Sequence, residues 1–141
     1  LKTVSSEPLA LLFEDSSCDA CNELHDGHLS NPDTLKILEN FTFARLDANS
    51  EKAIIDPEGN TTTAKAYAEK LGLSYRPGIV LFDKGKEINR IDGLLYTYHF
   101  QEVLRYVGER HYVKYPKNFY DYLGKRTEEI LKSGKSIDLS K

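Results

Sequence analysis

Apolar residues along this chain fall into short runs bounded by polar or turn-forming positions. Pro8-Leu9-Ala10-Leu11-Leu12-Phe13 is continuous rather than alternating, the pattern of a strand covered on both faces. We assign Leu9 to Glu14 as a central parallel strand, with the acidic and serine residues after it forming a loop at its C-terminal end. Phe41 to Leu46 reads as a second strand and Gly78 to Phe82 as another buried one. Asp83-Lys84-Gly85-Lys86 then has the composition of a tight hairpin turn into an alternating strand, Glu87 to Ile91, so that this pair should be antiparallel.

Helical spacing fills the intervals. A helix beginning near Cys18, capped by Ser16 or Ser17, carries Leu24, Leu35, Ile37 and Leu38 and is broken or kinked at Asn31-Pro32. Ala64, Tyr67, Ala68 and Leu71 place a helix over Thr63 to Leu71, ended by Gly72. Thr97 to Val107 sets Phe100, Val103, Leu104 and Val107 on one face. The order is βαβαββα. A polar stretch, Ala48 to Thr62, contains the turn signal Asp56-Pro57-Glu58-Gly59-Asn60 and is expected to be a surface insertion. Beyond Gly108, tyrosines and phenylalanines precede Ile130 and Leu131, so a last helix over about Lys117 to Lys132 should complete the core, its Lys and Glu residues forming a solvated face. From Gly134 onward the chain is polar and expected to fray.

At 141 residues, 40% hydrophobic and 29% charged, the chain has the size and composition of one globular domain. A formal charge of −3 gives no sign of nucleic-acid binding. No apolar run approaches the roughly 20 residues of a membrane-spanning helix. The sequence begins at Leu1 and holds no methionine, from which we expect a cleaved upstream segment such as a signal peptide.

Candidate chemistry concentrates in Cys18-Asp19-Ala20-Cys21, which holds the chain's 2 cysteines. Three residues apart at the start of a helix, they share a face, and their Cα atoms come within roughly 5 to 6 Å, close enough for a disulfide that opens and closes. Cys18, at the first turn, meets unpaired backbone N–H groups and the positive end of the helix dipole, which favour its thiolate and make it the nucleophile. Cys21, one turn further in, is the resolving thiol. Asp19 sets a carboxylate beside the attacking sulfur; like-charge repulsion disfavours the thiolate and should move the couple toward reducing power.

Strand, CxxC helix, strand and helix, then Tyr75-Arg76-Pro77-Gly78 leading into Ile79-Val80-Leu81-Phe82, resemble the thioredoxin superfamily over about Pro8 to Gly108. The resemblance implies an α/β thioredoxin fold: a central mixed β-sheet flanked by helices, here with a polar insertion before the second helix and an added C-terminal helix. It implies a thioredoxin-like domain over residues 1–108 and a helical extension over 109–141 packed on it. Pro77 matches the cis-proline that faces the disulfide, Gly93 the glycine after the last strand, and Arg45 a basic position on the second strand. The insertion, the aromatic tail and the Phe-Glu-Asp-Ser-Ser-Cys approach are similar to the SoxW type of thioredoxin-related protein. That type implies a periplasmic reductant of protein disulfides in an electron-transport chain, recharged by a membrane thiol–disulfide electron donor; we expect a monomer that requires no cofactor.

Departures are equally specific. No tryptophan precedes Cys18, and Asp19-Ala20 stands where thioredoxins carry Gly-Pro. The buried strand acid that assists proton transfer in thioredoxins aligns with Leu12, so that role is either missing or moved to Glu14, two residues on and on the same strand face. A solvated acid at a strand end is the alternative for Glu14. Arg76, beside Pro77, can offer a guanidinium to the Cys18 thiolate or an anionic substrate, or stand in solvent.

A competing class remains open. C-x₂-C-x₃-H-x₂-H through Cys18, Cys21, His25 and His28 has zinc- or copper-binding side chains, which would make the chain a metal carrier or a thioredoxin-like binding module with an idle CxxC. One helix carrying all four would separate the outer two by roughly 15 Å, too far for a single ion. A structural disulfide is the other alternative, although so short a loop adds little stability.

Overall fold

The structure is a computed structural model describing residues 8–15, 18–73, 77–92, 97–116 and 118–134. A four-stranded mixed sheet forms its centre, in the order β2-β1-β5-β6, where β1 is Leu9–Glu14, β2 Thr42–Asp47, β5 Gly78–Asp83 and β6 Lys86–Asp92. β1 is buried along its whole length, as its unbroken apolar run requires. It is parallel to β2, with Leu9 opposite Thr42 and Glu14 opposite Asp47, but antiparallel to β5, with Phe13 opposite Gly78. The expected central parallel strand is therefore parallel on one side only.

Alternation along β1 divides the core in two. Ala10 and Leu12 face a cluster that includes Leu24, Ile37, Phe100 and Leu104, whereas Leu9, Leu11 and Phe13 pack with Tyr67, Ala68 and Leu73. The first cluster is covered by α1 (Asp19–Asp26), α2 (Pro32–Leu38) and α4 (Thr97–Gly108), the second by α3 (Ala64–Lys70). Glu14 has the same parity as Leu12, so it leaves the strand on the side of α1.

The break expected at Asn31-Pro32 is complete. A 3-10 turn, His28–Ser30, ends the first segment, and the Asn31 side chain caps α2 by accepting from the Asp33 and Thr34 amides, with Pro32 opening the helix. Leu35, assigned to the apolar face, is 46% exposed because α2 presents Thr34 and Ile37 inward instead. The β5–β6 turn places both Lys84 (φ 53°) and Gly85 (φ 80°) in the left-handed region, the requirement of a two-residue hairpin matching the strand twist.

The polar insertion is more ordered than a surface loop. Its ends pair as a small antiparallel hairpin, β3 (Ala53–Ile55) with β4 (Thr61–Thr63), for which the sequence showed no run long enough to mark a strand. Asp56 holds the turn: its Oδ1 accepts from the Glu58 and Asn60 amides, both at 2.9 Å. Thr63 then caps α3.

After α4 a 3-10 turn, His111–Val113, leads to α5 (Phe119–Lys132). Phe119 and Tyr122 join the core cluster of α4, while Tyr120 points outward and is 68% exposed, so the aromatic tail only partly completes the core. Tyr122 Oη donates to Glu102 Oε1 at 2.6 Å, and Arg105 and Arg126 stand at 3.1 and 3.4 Å from the same carboxylate, which is buried. Burial, followed by that acid, pushes the Tyr122 hydroxyl far above its usual range.

A second latch joins β5 to the end of α4. Arg110, with φ 57°, donates from Nε to Asp83 Oδ2 at 2.9 Å, and Tyr112 donates to the same carboxylate. Burial by itself would raise the Asp83 carboxyl, but the hydrogen bonds from Arg110 and Tyr112 outweigh it and hold it below the ordinary value. A carboxyl lowered in the folded state stabilises the fold above its unfolded value near ~3.9, and that contribution disappears as pH falls through the folded value. Asp83→Asn should therefore cost about 2 kcal/mol at pH 7, with the gap from the unmodified protein closing below about pH 4. Thermal melts across pH 2 to 7 check this; a constant gap would contradict it.

Candidate active site

β1 delivers the chain directly to the cysteines. Cys18 is the N-cap of α1, with extended backbone (φ −110°, ψ 100°), and its Sγ accepts the Cys21 amide at 2.9 Å. Sulfur therefore occupies the place of the serine hydroxyl expected there; Ser16 and Ser17 lie outside the described residues. Cys18 and Cys21 form a disulfide with an S–S distance of 2.14 Å and Cα atoms 5.2 Å apart, within the separation expected for helix positions three apart. Cys18 is half-buried and Cys21 only 4% exposed, since the second cysteine faces the sheet while the first stands at the helix tip.

Beneath Cys21 lies a polar cluster drawn from three elements. Glu14, at the end of β1, has both carboxylate oxygens engaged: Oε1 accepts from Arg45 Nε of β2 at 2.9 Å, and Oε2 lies 2.7 Å from His25 Nε2 of α1. It is 8% exposed, which removes the alternative of a solvated acid at a strand end. Arg45 keeps most of its side chain in water, so this contact orients Glu14 more than it stabilises the fold. Glu14, Cys21, His25 and Arg45 line one cleft of about 530 Å³, with Asp15 and Asp47 at its margins.

Pro77 is buried and directly precedes Gly78, the partner of Phe13, so it enters the sheet at the end of β1 from which the cysteine loop leaves. Arg76 and Gly93 lie outside the described residues, as does the side chain of Asp19. His28 stacks on Phe100 with ring centres 4.1 Å apart, while His25 is committed to Glu14. The two histidines thus have different neighbours, and among the described residues no group of three or more His, Cys, Asp or Glu is placed to hold a metal ion.

The sequence model of the thioredoxin-like domain family matches residues 3–108. The chain belongs to that family. Solved thioredoxin-like structures agree on the fold. A thioredoxin-fold protein from Helicobacter pylori is 21% identical with a TM-score of 0.62, covering 76% of this chain and 72% of that one. The corresponding values are 23% and 0.57 for a thioredoxin from Thermus thermophilus, covering 72% and 73% of the two chains. The oxidised C-terminal domain of DsbD from Neisseria meningitidis is 22% identical with a TM-score of 0.53, covering 72% and 80%. No curated protein matches the chain.

A thioredoxin-like fold with a CxxC disulfide at the first helix supports thiol–disulfide oxidoreductase chemistry. Leu12, at which the sequence comparison expected the strand acid of thioredoxins, is 0% exposed in the apolar core, and the buried acid of β1 is Glu14 at its end. Sequence reasoning reached Glu14 but missed that His25 is its partner. The available signal was spacing: His25 follows Cys21 by one helical turn and therefore shares its face.

Proposed function

We propose that this protein is a periplasmic reductant of disulfides in other proteins. The observation that carries the reading is the asymmetry of the pair: Cys18, at the helix cap with its sulfur receiving a backbone N–H, is only partly buried, whereas Cys21 is buried. In the reduced protein the Cys18 thiolate attacks one sulfur of a substrate disulfide; that bond breaks and its other sulfur leaves as a thiolate that takes up a proton. Cys21 then loses its proton and attacks Cys18 Sγ, releasing the second substrate thiolate. The dithiol gives up two electrons as it becomes the Cys18–Cys21 disulfide, and the substrate disulfide becomes two thiols.

Pro77 shapes the groove in which an extended substrate segment lies beside the disulfide, Arg76 contributes a cation to that groove, and Glu14 supports proton transfer at Cys21. The reducing direction draws on Asp19 beside the nucleophile, and the compartment and a membrane thiol–disulfide donor on the resemblance to the SoxW type. Residues 1–108 form the catalytic unit, with 109–141 a helical extension packed on it.

Trapping tests the reading. In Cys21→Ser the mixed disulfide cannot be resolved from within, so substrates should remain covalently attached through Cys18 and be released by added thiol. A reduced Cys21→Ser protein that captures no disulfide-bonded protein, model substrates included, would argue for the binding-module class.

A further inference from the structure

Cys21 must lose a proton before it can attack, yet its sulfur is buried and the acid nearest the usual position has no free oxygen: Glu14 Oε1 is held by Arg45 and Oε2 by His25. With the carboxylate accepting the Nε2 hydrogen, Nδ1 becomes the proton-accepting nitrogen of the neutral ring. His25 is one turn beyond Cys21 on α1, so the two side chains are neighbours on one helix face and line the same cleft. A cleft of about 530 Å³ lined by these polar groups has room for water to bridge them.

We infer that His25 takes the proton of Cys21 when that thiol resolves the mixed disulfide, with Glu14 and Arg45 as positioning residues. The inference rests on the reductase reading. The proton leaves Cys21 Sγ through a cleft water to His25 Nδ1; the thiolate attacks Cys18 Sγ, and the departing substrate thiolate is protonated from solvent. The imidazolium that forms is stabilised by Glu14 against its other nitrogen. Asp15 of the chain beyond β1 and Asp47 of β2 are the other acids lining the cleft, and Arg45 is its cation. Re-reduction of the disulfide reverses the path and returns the proton to Cys21.

The measurement is the single-turnover rate of resolution of a preformed Cys18 mixed disulfide with a small aromatic thiol, from pH 6 to 9. His25→Gln keeps an N–H for Glu14 but cannot take a proton. It should slow resolution at least about tenfold near pH 7, with the deficit closing as pH approaches the ~8.5 of an unassisted thiol. Glu14→Gln, which keeps an oxygen for the ring but removes the charge that pairs with the imidazolium, should also slow resolution near pH 7, by less than His25→Gln, with the deficit narrowing at higher pH. Profiles superimposable on that of the unmodified protein, or a loss by the same factor at every pH, would overturn the relay. Attack by Cys18 is followed separately in Cys21→Ser, which lacks the resolving thiol. Attack that proceeds there while resolution is indifferent to His25 overturns the relay alone; no attack overturns the reductase reading and the relay together.

Discussion

Replacing Cys18 by serine is expected to reduce insulin-disulfide reduction to the uncatalysed background, a loss on the order of a thousandfold or more, because a hydroxyl is not ionised at neutral pH and is a poor nucleophile toward disulfide sulfur. The helix cap itself should survive, since a serine oxygen accepts the Cys21 amide at least as well as sulfur does. The variant therefore separates chemistry from folding: turnover vanishes while the thermal melt of the reduced protein stays close to that of the reduced parent. Turnover persisting in Cys18→Ser would move the nucleophile to Cys21, whose 4% exposure makes direct attack on a protein disulfide sterically unfavourable.

Tyr122→Ala should be the most damaging substitution far from the cysteines. The ring is 3% exposed and packs with Tyr106, Phe119 and His111, so truncation opens a cavity costing about 3 to 5 kcal/mol. It also removes the neutral donor to Glu102, a carboxylate buried under α5. For a domain of this size the melting temperature should fall by roughly 10 °C or more. Tyr120→Ala, at a 68% exposed position two residues earlier, should cost less than about 1 kcal/mol. Differential scanning calorimetry of the pair decides whether the extension is part of the cooperative unit. Equal melting temperatures would make it an appendage.

The contrast between Tyr120 and Tyr122 illustrates where reading the chain stops. Two positions apart on one helix they point to different faces, and the packing of α5 against α4 decides that the face shared by Phe119 and Tyr122 is the buried one. The same holds for Leu35, apolar yet exposed, and for the β3–β4 hairpin, whose three-residue strands are held by each other and by the Asp56 turn rather than by any apolar run. β1 and β5, by contrast, were legible because strands buried on both faces carry near-continuous apolar runs, interrupted here only by the terminal acids Glu14 and Asp83, and the β5–β6 turn because few residues accept two successive left-handed conformations.

Local chemistry was likewise written in the chain: the cysteine spacing, the turn residues, and the apolar periodicity that makes an α/β domain out of these elements. Those features depend on neighbours a few positions apart, which backbone geometry alone brings together. The Glu14–His25–Arg45 cluster needed folding to exist, because its members lie 11 and 31 positions from Glu14 and meet through the pairing of β1 with β2 and the packing of α1 over the sheet end. So did the unequal burial of two identical side chains, Cys18 and Cys21, which depends on where the sheet ends beneath the helix.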